Sequence, residues 1–260
     1  MKILLCCTCT ALLAFAAVSP CFAADSPWSG TWKENLAKDK LTGDTVTITA
    51  KGSGYHFTNG PISYDFSCDG KPYTTIANNT LTCTSASDGS LDLTMTANGK
   101  VTSKTHRTFS ADGKQMTMNI TDYRGDGTKT NTIVVRNRKS GSKGLVGEWV
   151  DSKVTPSEPD VMTTKVDGGM FHMQSQHSRT NIDARLDGTD AKVTGPTVPA
   201  GATASYKSVT PHNLRYTFKL AGKVISEGTL TLSPDGKTLT DTSWSPGKEG
   251  EKTSQVYEKQ

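Results

Sequence analysis

Beyond its first 23 residues the sequence has no long apolar run, and only two of its six cysteines remain. A membrane-spanning helix needs about 20 apolar residues in succession, so no membrane span is expected. The formal charge of +4 is too small to favour nucleic acid as a partner. No nucleophile elbow, His-Glu-x-x-His motif, phosphate-binding loop or metal-ligand spacing is present. We therefore expect no metal, no cofactor and no enzymatic activity.

The first 23 residues have the pattern of a signal peptide. Met1-Lys2 supplies a positive start, residues 3–18 are mostly apolar, and Cys21-Phe22-Ala23 fits a small-x-Ala cleavage site. This pattern predicts a signal peptide over residues 1–23 and export to the periplasm or secretion.

The two remaining cysteines are Cys68 and Cys83. An even pair in an exported protein predicts a disulfide between them. A redox-active pair would favour Cys-x-x-Cys spacing, which is absent. The pair is therefore expected to be structural.

One stretch of the chain occurs twice. Ser110-Ala111-Asp112-Gly113-Lys114 returns as Ser233-Pro234-Asp235-Gly236-Lys237, and Gly30-Thr31-Trp32 has its counterpart in Gly147-Glu148-Trp149. Asp-Gly between two strand-like runs is a hairpin signal. Ordered landmarks of this kind predict two domains of one fold, residues 27–138 and 145–260, joined by a basic linker at 139–144.

Short alternating apolar runs and frequent turn residues follow one another along both repeats, and no helical period occurs after residue 23. One example is the inward set Leu214, Tyr216, Phe218 and Leu220. The expected fold is all-β, with two tandem antiparallel meander β-barrels of about eight strands each. Closing each meander into a barrel removes its exposed edges.

With the strands placed, the Gly-x-Trp at Trp32 and Trp149 resembles the signature of lipocalin-like (calycin-type) barrels. The resemblance implies that each tryptophan plugs one barrel end, with a basic residue of the last strand packed across it: Arg136 or Arg138 in the first repeat and Lys259 in the second. Both repeats also resemble a family of uncharacterised exported bacterial proteins, which carries no activity. Avidin-like barrels begin Gly-Thr-Trp as well, but their further tryptophans are missing, so biotin is not expected.

The plug role is structural, so Trp→Ala at either position is expected to destabilise its own repeat. The histidines are placed outward or in turns by parity, except His177, which shares the inward parity of Phe171. Carboxylates are expected to set turn geometry rather than perform acid–base chemistry. They concentrate in turns, at Asp69, Asp88, Asp112, Asp126, Asp187 and Asp235.

The leading functional hypothesis is a non-enzymatic binding protein that holds a small apolar ligand in one or both barrels. Its candidate ligand contacts are inward residues of both repeats: Tyr64, Phe66, Leu93, Met95, His177, Tyr216 and Phe218. The alternatives are a structural or protein-interaction module with side-chain-filled barrels and, third, an enzyme of unknown type.

Overall fold

The computed structural model describes residues 26–176 and 178–260. The predicted signal peptide and His177 lie outside these residues. Apart from a 3₁₀ turn at Ile76–Asn78, the regular structure of the described residues is β-strand. The first ten strands are β1 Gly30–Glu34, β2 Thr45–Lys51, β3 Gly54–Asn59, β4 Ile62–Phe66, β5 Asp69–Thr74, β6 Thr80–Ser85, β7 Leu91–Ala97, β8 Lys100–Phe109, β9 Gln115–Tyr123 and β10 Lys129–Ser140.

The second ten strands repeat this order. They are β11 Gly147–Pro156, β12 Val161–Asp167, β13 Met170–Ser175, β14 Asn181–Arg185, β15 Asp187–Thr194, β16 Ala202–Thr210, β17 Asn213–Leu220, β18 Lys223–Leu232, β19 Thr238–Trp244 and β20 Thr253–Lys259. Each repeat therefore contributes ten strands, where about eight were predicted.

The predicted fold class is confirmed, since the strands form two antiparallel meander barrels. The two repeats, however, exchange their opening strands. The second barrel closes in the order β1-β12-β13 through to β20, whereas the first has the order β4-β3-β2-β11-β10 through to β5. Thus β1 pairs with β12 and β20, and β11 pairs with β2 and β10.

The exchange changes the predicted assignment of residues to the two domains. The basic stretch at 139–144 is not a linker between barrels, because β10 and β11 pair with each other and this stretch is the tip of their hairpin. The chain crosses between barrels elsewhere, once between β1 and β2 and once between β11 and β12. Sequence landmarks could align the repeats, but they carry no information on which copy of a strand completes which barrel.

The two Asp-Gly turns contain equivalent hydrogen bonds. Asp112 Oδ1 accepts from the Lys114 backbone N–H at 3.0 Å, and Asp235 Oδ1 accepts from that of Lys237 at 3.1 Å. Gly113 and Gly236 both have φ of +67°, a conformation that glycine adopts without a steric penalty. The predicted hairpin role of this motif is confirmed in both repeats.

Each opening tryptophan is fully buried, but in the core of the other repeat's barrel. Trp32 packs in the second barrel and donates to Thr164 Oγ1 at 2.8 Å, whereas Trp149 packs in the first and donates to the Leu145 carbonyl at 2.9 Å. The expectation that each tryptophan serves its own repeat is therefore wrong. Each barrel still contains one of the two tryptophans, because the exchanged strand of the other repeat supplies it.

A basic side chain lies across each plug. The Arg138 guanidinium is 4.0 Å from the centre of the Trp149 ring, and Lys259 Nζ is 5.2 Å from that of Trp32. At the Gly of each Gly-x-Trp, an added Cβ would meet these same side chains, and φ there is +155° at Gly30 and +148° at Gly147. Glycine is required because a Cβ would overlap Lys259 at Gly30, and the Ser140 carbonyl oxygen and Arg138 at Gly147.

The first barrel is not closed along its whole circumference. Within the described residues, no ladder joins β4 to β5, whereas the equivalent strands β14 and β15 pair in the second barrel. Cys68, just after β4, is bonded to Cys83 in β6, with their Cα atoms 4.3 Å apart. The predicted disulfide is thus present, and it ties together the two sides of this seam.

We expect the Cys68→Ala/Cys83→Ala variant to lose about 3 kcal/mol of unfolding free energy, because the disulfide closes a loop of 15 residues in the unfolded chain. Urea unfolding would measure the loss, and wild-type protein in a reductant should lose the same amount. An unchanged midpoint in both samples would contradict a stabilising role.

Candidate functional site

The predicted ligand contacts lie in the two barrel cores. Phe66 and Leu93 are buried in the first core, with Tyr64 and Met95 packed against them. Tyr216 and Phe218 pack against the second core. These six residues are inward, as expected from their alternation, whereas His177 lies outside the described residues. Ligand contact at any of them remains a prediction.

Equivalent positions in the two barrels carry different chemistry. In the first barrel Arg107 of β8 pairs with Met118 of β9, and in the second Leu230 of β18 pairs with Asp241 of β19. Paired residues on neighbouring strands share one face of the sheet. Because Met118, Leu91 and Leu230 are buried core residues, Arg107 and Asp241 both point inward.

The Arg107 side chain makes no hydrogen bond or ion pair with any residue that the structure describes, and its Nε is fully enclosed without a partner. Burial lowers the pKa of Arg107 to about 10, and the nearby positive charge of Arg136 acts in the same direction, whereas Tyr64 opposes the shift. The guanidinium remains charged at neutral pH. An inward cation without a counter-ion lowers the stability of the folded protein, so a functional role for it is expected.

Arg136 does not share this situation, because its Nε donates to Asp151 Oδ1 at 2.6 Å and both side chains are about nine-tenths buried. Burial raises the pKa of Asp151, although the charge and hydrogen bond of Arg136 oppose the shift. Asp151 lies on the exchanged strand β11, so this pair also binds that strand to the first barrel. The Asp151 carboxylate is therefore paired with Arg136.

The interior around Arg107 is accessible. At the plug end Met116 is completely buried, but further along the barrel the inward side chains of Ser103, Thr105, Arg107 and Ile120 are only partly buried. This end of the first barrel opens into a cavity of about 630 Å³ that residues of both barrels line. Asp122 and Thr132 of the first barrel contribute to the lining, as do Met173, Ser175 and Glu34 of the second.

The inward acid of the second barrel, Asp241, has a hydrogen-bond donor inside the same barrel. Tyr216 Oη donates to Asp241 Oδ1 at 2.8 Å, and Tyr206 packs against Tyr216 with ring centres 5.7 Å apart. Burial raises the pKa of Asp241 to about 6, although the hydrogen bond from Tyr216 opposes the shift. Gly228 faces the Tyr216 ring so closely that a Cβ there would overlap it.

We expect the protein to lose stability as the pH rises from about 4 to 6. The ordinary pKa of an aspartate is 3.8, so in this window native Asp241 holds a proton that the unfolded chain has released. Unfolding free energy therefore falls with pH, by about 3 kcal/mol for a shift of this size. Asp39, whose pKa burial also raises to about 6, contributes a change of the same sign.

Thermal unfolding of wild type and Asp241→Asn at pH 4.5 and 7.5 would measure the Asp241 contribution. The variant should show a clearly smaller drop between the two pH values. Asp235→Asn is the control, because hydrogen bonds from Ser233 and Lys237 lower the pKa of that exposed turn residue. An identical drop in wild type and Asp241→Asn would contradict the assignment.

The exposed histidines and the turn aspartates have local hydrogen-bond partners. His56, His106 and His172 lie on exposed faces, each within 2.8 Å of a cross-strand aspartate oxygen. All six turn aspartates singled out from the sequence accept a hydrogen bond from the backbone N–H two residues later, as predicted. Among the described residues no group of three or more His, Cys, Asp or Glu side chains could hold a metal ion.

Arg107 was not singled out from the sequence, although a signal was available. It has the same parity as Val101 and Phe109 in the β8 run and thus occupies an inward position in an alternating strand. When the two repeats are aligned, Arg107 occupies the position equivalent to Leu230. A charge at an apolar position of an internal repeat is a usable sign of a site.

No helix in the described part of the chain is long and apolar enough to cross a membrane. Neither a protein-family model nor a curated protein sequence matches the chain.

Proposed function

We propose that this protein is an exported, non-enzymatic binding protein that holds a small, largely apolar molecule inside the first barrel. The observation that carries the proposal is the partly accessible interior beyond the Trp149 plug. Its walls include Tyr64, Met95 and Ile120, which pack against the first core without being fully buried. Apolar and aromatic walls with a few polar groups are typical of small-molecule sites.

Three further observations support parts of the proposal. A tryptophan at each barrel end with a cation across it agrees with the resemblance to lipocalin-like barrels. The Cys68–Cys83 disulfide suits an oxidising compartment, which agrees with export directed by residues 1–23. The cavity between the barrels offers the ligand a route to the interior.

A titration with a neutral apolar probe, decanol below its solubility limit, tests the site. We expect decanol to raise the melting temperature of wild type, since a ligand at 100 times its Kd stabilises a protein by about 2.7 kcal/mol. Ile120→Trp should abolish the shift by filling the interior. Asn119→Trp is the matched control, because Asn119 is exposed on the opposite face of β9. A shift that survives Ile120→Trp would place the probe elsewhere.

The second candidate is a protein-interaction module, which the open seam between β4 and β5 favours, because unpaired strand edges can accept another strand. Binding of that kind would persist in Ile120→Trp. Loss of binding in Ile120→Trp and in no other variant therefore supports the small-molecule function over the interaction function.

A further inference from the structure

We propose that the first barrel selects a ligand bearing a carboxylate, which Arg107 binds inside the barrel. The inference rests on the proposed function and names the head group of its ligand. It also assigns Arg107 a role that the apolar walls of the site do not explain.

The Arg107 side chain has hydrogen-bonding capacity that the described residues leave unused. A guanidinium offers five N–H donors, and none of those of Arg107 reaches an acceptor among the described residues. Its Nε has no contact with bulk water either, because the atom is fully enclosed. A carboxylate can accept two parallel hydrogen bonds from a guanidinium, which is among the strongest pairings available to this side chain.

No carboxylate among the described residues lies beside Arg107, and the inward Asp122 is opposite Ser103, four residues further along the strand. The carboxylate of Asp151 is bound to Arg136. The charged neighbour of Arg107 is Arg136, a like charge, and Tyr64 is a phenol that can also donate to a bound anion. The interior thus has one positive charge in excess at this level, which matches a monoanion such as a carboxylate better than a doubly charged phosphate.

The two repeats divide an arginine and an aspartate between equivalent positions. One pair of ladder positions holds Arg107 and Met118 in the first barrel, and Leu230 and Asp241 in the second. Arginine and aspartate together at these two positions could form an ion pair within one barrel. Instead each barrel has one of the two charges, and only Asp241 receives an internal partner, Tyr216. Arg107 is left for a partner from outside.

A ligand could reach Arg107 from the cavity between the barrels. From Arg107 the inward side chains of Thr105 and Ser103 lead towards the cavity between the barrels. Four residues along a strand span about 13 Å. A ligand with its carboxylate at Arg107 would therefore place an apolar body of several carbons along Ile120 and Met95, with its far end near the cavity.

The experiment compares decanoic acid, decanol and decylamine, each titrated calorimetrically below its micellar concentration at pH 8. Wild type should bind the acid at least tenfold more tightly than the alcohol, and the amine most weakly, because a hydrogen-bonded charge pair is worth about a factor of ten or more. Arg107→Met should lose this preference and bind acid and alcohol alike. Arg215→Met is the control, because Arg215 is largely exposed on the outer face of the second barrel.

Arg107→Met should also melt higher than wild type without ligand, since it removes an unpaired inward charge, so a failure to fold is not expected. Equal affinity of wild type for acid and alcohol would overturn the carboxylate inference and leave the proposed function standing. Unchanged acid affinity in Arg107→Met would likewise overturn it. If none of the three probes binds wild type, both the inference and the apolar-ligand function are wrong.

Discussion

Trp32→Ala is expected to destabilise the barrel formed by the second repeat, and Trp149→Ala the barrel formed by the first. Both side chains are completely buried, and truncating a buried Trp to Ala typically costs 3–5 kcal/mol. Trp32 packs with Met162 of β12 and lies beside Lys259 of β20, all in the second barrel. For Trp32→Ala the effect should therefore appear more than 100 residues away from the substitution in the chain.

Hydrogen–deuterium exchange with peptide-level resolution would measure this effect. In Trp32→Ala, peptides from residues 161–259 should lose protection first, and in Trp149→Ala those from residues 45–140. Trp244→Ala is the control, because this tryptophan is only partly buried and packs beside Lys252. Loss of protection confined to the repeat that contains the substitution would contradict the strand exchange.

Asp151→Ala is expected to cost 3–5 kcal/mol of unfolding free energy, the range found when one partner of a buried ion pair is removed. The substitution would leave Arg136 without a counter-ion and close to the charge of Arg107. Replacing both members, as in Asp151→Leu/Arg136→Leu, should recover most of the loss, since no uncompensated charge remains from the pair.

Urea unfolding of the single and double variants would test this prediction. The control is Asp167→Ala, whose partner Lys165 lies 3.1 Å away in an exposed pair. That change should cost less than about 1 kcal/mol because water screens the interaction. If Asp151→Ala were no more harmful than the control, Asp151 would not be the counter-ion that Arg136 requires.

Local features of the fold were predictable from the sequence because their causes are local. The Asp-Gly turns depend on a side chain that accepts from a backbone N–H two residues away, and the inward placement of Tyr64 and Tyr216 depends on alternation. The disulfide followed from the count of cysteines that remain after the predicted leader. None of these inferences needed knowledge of which strands are neighbours.

The exchange of strands could not be predicted, because β1 and β11 carry nearly the same signature and fit either barrel. The choice depends on how residues 35–44 and 157–160 connect the barrels, which is a property of the whole chain. The candidate site was missed for a related reason. Arg107 draws attention only when its surroundings show that no acid is within reach, and those surroundings come from several strands.

The strand exchange has a consequence for the order in which the chain can fold. The first barrel lacks β11 until residue 156 has been synthesised, and β1 must wait for β20 near the end of the chain. Contacts between residues so distant in sequence raise contact order, and high contact order slows folding. The first repeat therefore cannot complete its barrel during synthesis of its own half, whereas β1 waits for strands that are made last. We expect the first barrel to form once residue 156 is available, and the second to close only when nearly the entire polypeptide is present.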